Sequence, residues 1–117
     1  TKDFGITLAN RGGMMENAEY NIPSLSEPLN KPCYYPSYNF FLDYTGDVLV
    51  CSHDWGKKQI VGNFNKEKLL DIWFGEKFLY ARRKLSNSDR TMDPCNKCDV
   101  IGTLLGESNF KAWKKFL

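Results

Sequence analysis

The chain has 117 residues, enough for one domain or one domain with an attached arm. Folding at this size hides roughly two-thirds of the surface that the unfolded chain exposes. Sixteen Lys and Arg against fourteen Asp and Glu leave a formal charge of +2, which argues against nucleic acid or a membrane surface as the main partner. No apolar run approaches the roughly 18 residues of a membrane span.

The opening "TKDFGITLAN" has no basic segment followed by an apolar one, so no secretory signal is read there. It also lacks an initiator Met, and the chain reads as a piece of a longer protein. A reducing, cytoplasmic setting is therefore expected, in which the four cysteines are metal ligands rather than a disulfide frame. Eight Phe, six Tyr and three Trp supply ample apolar material for a core.

Residues 1–32 form an arm. "ANRGGMMENAEYNIPSLSEPLNKP" mixes Gly, Asn, Ser and Pro without periodicity, as an extended linker does. "RGG" at Arg11 to Gly13 reads as a turn with two permissive glycines; a single copy is a weak RNA-binding signal. The ordered module, residues 33–117, begins at Cys33. "SYNFFLDYTGDVLVCS" predicts a β-hairpin: Phe40, Leu42 and Tyr44 alternate, "TGD" turns at Gly46, and Val48 and Val50 alternate on the return. A third strand is expected within Lys58 to Phe64.

Asn65 is placed to cap a helix over "KEKLLDIWF", with Leu69, Ile72 and Trp73 on one face. A second helix, "EKFLYARRKL", sets Phe78, Leu79, Arg82 and Leu85 at helical spacing. "SNSDRTMDP" is a polar loop ending at Pro94. The tail "ESNFKAWKKFL" predicts a last amphipathic helix, with Phe110, Trp113 and Leu117 inward. Lys57, Lys58, Arg82 and Arg83 read as a solvated face, and Trp73 as helix-to-hairpin packing. The fold class is α+β: a small hairpin or three-stranded sheet, short helices and a four-cysteine metal site behind an extended arm.

The chemistry lies in Cys33-x17-Cys51 and Cys95-x2-Cys98. A C-x2-C turn puts two sulfurs close together, as in zinc and iron–sulfur sites. A hairpin that returns the chain can bring Cys33 and Cys51 to one end. Two disulfides are disfavoured, since Cys95–Cys98 would close a very tight loop. Four thiolates suit tetrahedral zinc, although a zinc ribbon usually offers two short knuckles and the first pair is not one. His53, the only histidine, lies near Cys51 but reads as a neighbour rather than a ligand. Four thiolates can also hold an iron–sulfur cluster completely. Spacing alone leaves the choice between iron–sulfur and zinc open.

Cys33-x12-Gly46-x4-Cys51 resembles the opening motif of the SPASM domain, the C-terminal extension of many radical S-adenosylmethionine enzymes. "FFLDYTGDVLVC" is similar to that family's hairpin. "IVGNFNKEKLLDIWFGEKFLYARR" is similar to the Gly-Asn and Trp-bearing helix that follow, and "CNKCD" to its closing C-x2-C. "ANRGG" resembles the linker placed before the domain. Full SPASM domains continue with two more cysteines, where this chain has Leu104 and Ser108. The resemblance is therefore to the truncated, single-cluster twitch form.

By that resemblance Cys33, Cys51, Cys95 and Cys98 would ligate one auxiliary [4Fe-4S] cluster, leaving no iron open to substrate. The implied role is electron transfer or structural support beside a radical S-adenosylmethionine barrel, the implied partner, whose substrate would be a peptide or a small molecule. A dry wall for the cluster is expected from Trp55, Trp73 and the Tyr and Phe residues. The chain has no C-x3-C-x2-C motif for the cluster that cleaves the cofactor, and no catalytic residue is read in it. Zinc remains the alternative, as the support of a binding module or as a substitute taken up in air.

Overall fold

The computed structural model describes residues 10–14, 25, 27–100 and 106–116. Its elements in chain order are α1 (Tyr35–Tyr38), β1 (Phe41–Leu42), β2 (Asp47–Leu49), β3 (Ile60–Asn63), α2 (Leu69–Trp73), α3 (Glu76–Ser86) and α4 (Gly106–Trp113). Short 3-10 turns cover Cys95–Lys97 and Lys114–Phe116. The expected α+β class, with a three-stranded sheet followed by short helices, is what the chain adopts. Most of the arm, together with Leu104 and Leu117, lies outside the described residues.

The sheet is antiparallel in the order β1-β2-β3. Phe41 pairs with Leu49 and Leu42 with Val48, so the hairpin turns where Gly46 was expected to turn it. Gly46 sits at φ +92°, and a Cβ there would collide with the Asn65 side chain. Lys57 pins the same turn, its ammonium 2.7 Å from Asp43 and 2.9 Å from Asp47. Between β2 and β3 the register breaks at Val48/Leu49, and Val48, Leu49 and Val50 are all buried. The inward alternation expected for the first strand stops at Phe40, which packs on the core, while Leu42 and Tyr44 are exposed. That strand is two residues long and ends at the turn, so no inner face continues to Tyr44.

The core joins Val48, Val50 and Val61 of the sheet region to Ile72 of α2 and to Phe78, Ala81 and Leu85 of α3. Along α3 the buried residues are Phe78, Ala81, Arg82 and Leu85, one stripe at the 3.6-residue period. Arg82 thus corrects the expectation of a solvated side chain. Its guanidinium lies 4.2 Å from the Trp73 ring centroid and 4.6 Å from that of Phe78, and its Nε–H donates to the Pro36 carbonyl at 2.8 Å. Aromatic faces and one carbonyl replace water for this cation, and burial pulls its pKa down to about 10.

Asn65 caps no helix. α2 starts later, at Leu69, and lacks a side-chain cap. The Asn65 amide instead donates to the Thr45 carbonyl at 3.0 Å, tying the turn after β3 to the hairpin tip. With only one turn of helix, α2 buries Ile72 and leaves Leu69 exposed. α4 returns to the N-terminal side, where Phe110 stacks on Tyr34 at 5.0 Å and Trp113 sits 6.0 Å from Phe74.

Gly62 shows how tightly α2 sits on β3: a Cβ there would stand 2.8 Å from Ile72 Cγ2. Replacing Gly62 with Val should push the helix off the sheet and cost about 1–3 kcal/mol, read as a lowered urea midpoint.

Candidate metal centre

Each cysteine is placed by a different local device. The Cys33 N–H donates to the Leu85 carbonyl at 2.9 Å, fastening the start of the module to the end of α3. Cys51 follows Val50 just past β2 and opens a loop folded around Asp54. That carboxylate is buried and accepts from the backbone N–H groups of Lys58 at 2.9 Å and Gln59 at 2.8 Å. Cys95 and Cys98 bracket the short 3-10 turn, in which the Cys98 N–H donates to the Cys95 carbonyl at 3.3 Å.

These devices bring Cys33, Cys51, Cys95 and Cys98 to one cavity, which in part faces solvent. Val50, Leu85, Pro36, Pro94 and Val100 line it. All four thiols are free. Tyr35 lines the cavity too, as expected of the tyrosines, but most of the wall is aliphatic and neither Trp55 nor Trp73 belongs to it. Trp55 is 58% exposed, with the Arg11 guanidinium 5.3 Å from its ring, and Trp73 packs on Phe40 and Phe78 in the core.

Burial raises the pKa of every one of these thiols. Cys51 is pushed from 9.0 to about 12, chiefly by burial and then by its thiolate neighbours. Cys95 goes higher still, by burial and by the charges of Cys51, Cys33 and Cys98. Backbone N–H groups work against this. The backbone N–H of Tyr35 lowers the pKa of Cys33, that of His53 lowers Cys51, and those of Val100 and Gly12 lower Cys98. Three of these N–H groups lie two residues beyond the cysteine they serve, so a short bend after Cys33, Cys51 and Cys98 is enough to supply them. Val100 N stands 3.5 Å from the Cys98 sulfur.

Arg90 is the residue that sequence reasoning missed. It belongs to the polar loop, yet it is 2% exposed and lines the cavity. Its Nε–H donates to the Lys31 carbonyl at 2.9 Å, and its terminal N–H groups donate to Pro32 at 3.2 Å and Val100 at 2.6 Å. It thereby staples the segment before Cys33 to the segment after Cys98, and its charge favours the thiolates of Cys33, Cys95 and Cys98. Asn10 and Asp54 were missed too. Asp54 had one local signal, an acidic residue three positions after Cys51 and ahead of a glycine turn.

His53 lines the cavity beside Cys51 and stacks on Tyr35, with ring centroids 5.6 Å apart and planes inclined by 16°. Burial and the Arg11 charge hold its pKa below the usual value, so the ring is neutral at pH 7. Among the described residues, no three Cys, His, Asp or Glu side chains are grouped so as to hold a single metal ion.

The sequence pattern of the SPASM family, an iron–sulfur cluster-binding domain, matches residues 33–99. The chain belongs to that family. It is 34% identical over 97 residues to the S-adenosyl-L-methionine-dependent 2-deoxy-scyllo-inosamine dehydrogenase of Niallia circulans, covering 82% of this chain and 37% of that protein. The crystal structure of BtrN in complex with AdoMet and 2-DOIA superposes with a TM-score of 0.71 at 31% identity, over 84% of this chain and 37% of that one. An open conformation of BtrN gives 0.59 at 32% identity, over 61% and 34%. The chain thus spans little more than a third of the length of these relatives. The expected family, the iron–sulfur SPASM domain of radical S-adenosylmethionine enzymes, is the one found. Among the described residues no helix is long and apolar enough to cross a membrane.

Two outcomes follow from the site. Arg90→Ala takes the charged donor from three partly buried carbonyls, and should destabilise the chain by about 1–3 kcal/mol, measured by urea unfolding. The second concerns pH. Folding raises the thiol pKa values, so the folded metal-free chain holds these protons more tightly than the unfolded one. That contribution is complete below pH 9.0 and is lost as pH rises toward the folded value of about 12 for Cys51. Unfolding free energies of the reduced, metal-free chain between pH 7 and 11 should accordingly fall above about pH 9.

Proposed function

We propose that Cys33, Cys51, Cys95 and Cys98 each ligate one iron of a single auxiliary [4Fe-4S] cluster, and that the chain passes electrons to or from a radical S-adenosylmethionine active site, or braces it. The observation that carries this reading is the convergence of all four cysteines on one apolar cavity. The donor set fits a cluster: four sulfurs, backbone N–H groups on three of them, and a buried guanidinium against the negative charge. When bound, such a cluster accepts and releases one electron at a time. The residues of the chain exclude water, hold the thiolates and set the charge around them.

Within this reading residues 33–117 are the cluster-binding domain, and residues 1–32 are the arm that leads from a barrel. The barrel, its peptide or small-molecule substrate, and the dehydrogenation named for the Niallia circulans relative belong to the proposal for the whole protein. A second cluster has no place in it, because Leu104 and Ser108 occupy the positions of the further cysteines. A zinc clip is the weaker reading. Four thiolates also suit tetrahedral zinc, but the matched family pattern is that of an iron–sulfur cluster-binding domain.

Strictly anaerobic reconstitution of the 117-residue chain should give brown protein carrying about four irons, with visible sulfur-to-iron charge transfer. Single Cys→Ala changes at Cys33 or Cys51 should abolish stable loading. Colourless protein with one zinc, or full iron content without either hairpin thiol, would defeat the assignment.

A further inference from the structure

The turn at residues 10–14 is seated on the closing cysteine pair. Asn10 is 0% exposed, and a buried amide must find partners. Its backbone N–H donates to Asp99 Oδ1 at 2.9 Å, and its Oδ1 accepts from the Asp99 N–H at 3.2 Å. Its Nδ2–H donates to the Lys97 carbonyl at 2.5 Å. The same Oδ1 also accepts from the Gly13 N–H at 3.3 Å, which closes the turn on itself. Lys97 lies between Cys95 and Cys98, and Asp99 comes directly after, so one side chain grips the loop that carries two of the four sulfurs.

Three successive residues have positive φ: Arg11 at 53°, Gly12 at 64° and Gly13 at 85°. Contact distance accounts for the two glycines. A Cβ on Gly12 would stand 2.9 Å from the His53 carbonyl and 3.1 Å from Pro94 Cβ, and one on Gly13 would stand 2.7 Å from Lys97 Cβ. Only bare backbone comes this near, and Gly12 thereby joins the cavity wall that Cys98 also lines, where its backbone N–H favours the Cys98 thiolate. Val100 N stands 3.5 Å from the Cys98 sulfur, and the Gly12 backbone N–H, from a segment far upstream, adds to the stabilisation of that thiolate.

We propose that this turn is a positioning element for the cluster: Asn10 locks it to the closing pair so that the Gly12 N–H donates to Cys98, and this bond raises the reduction potential. The inference rests on the cluster reading above. An N–H on a ligand sulfur stabilises the more electron-rich, reduced state, so losing it makes reduction harder. A turn that only kept water out would act in the opposite direction, because water admitted to the site also favours the reduced state. The sign of the shift separates the two roles.

The test is a redox titration of the anaerobically reconstituted 117-residue chain, unchanged and with Asn10→Ala, Gly12→Ala or Lys111→Ala. Lys111 is an exposed control on α4 whose ammonium pairs with Glu107 at 3.1 Å. The expected result is a shift to more negative potential for Asn10→Ala and Gly12→Ala at undiminished iron and sulfide content, with Lys111→Ala unshifted. Unchanged or more positive potentials in both variants overturn the proposal. Should Asn10→Ala fail to load, Gly12→Ala, which keeps the amide grip, decides alone. Failure of both to load would make the turn a requirement for assembly and overturns the tuning role as well. If the unchanged chain takes up no cluster, it is the reading under "Proposed function" that falls.

Discussion

Four thiols in one apolar cavity impose a demand that the rest of this fold answers. As neutral groups they are tolerated; as thiolates they repel one another with little water to screen them, and burial alone lifts each pKa. They become stable anions only around a strongly cationic centre, with hydrogen bonds and a counter-charge nearby. The chain supplies both. Backbone N–H groups reach three of the sulfurs, and Arg90 sets a guanidinium against them while bonding three carbonyls.

The hydrophobic core and the metal centre are not separate structures. Val50 and Leu85 belong to both, while Cys33 and Cys95 pack against the core cluster. The Leu85 carbonyl, the last core position of α3, receives the Cys33 N–H. Loosening the helix would therefore displace Cys33 from the cavity that the core residues share. In so small a chain, sharing these residues lets a bound centre add its binding free energy to that of the fold.

The family pattern covers residues 33–99, yet the likeness to BtrN covers 84% of the chain, so the shared architecture reaches beyond the cysteines and the segments between them. The turn at residues 10–14 lies outside the matched pattern and is nevertheless bonded to the closing pair. A boundary drawn at the first cysteine and a boundary drawn by contacts fall in different places. The arm contributes Gly12 to the cavity wall and Asn10 to the support behind it.

Local order in this chain was legible without coordinates. The hairpin turn at Gly46 follows from one residue's freedom at positive φ, and the α3 stripe from the helical period. The four cysteines that meet at one cavity are singled out by their spacing together with a family likeness. Where two requirements competed, the reading failed: Asn65 has a capping residue's chemistry, but the hairpin tip offered its amide a partner before any helix began. Arg82 and Arg90 are indistinguishable in sequence from surface arginines. Only the folded chain sets Trp73 and Phe78 against one, and three carbonyls from distant segments around the other. Sequence carries what neighbours along the chain decide, namely turns, periods and ligand spacing. Which charges are buried, and which backbone N–H groups face a sulfur, depend on segments tens of residues apart and were settled by tertiary structure alone.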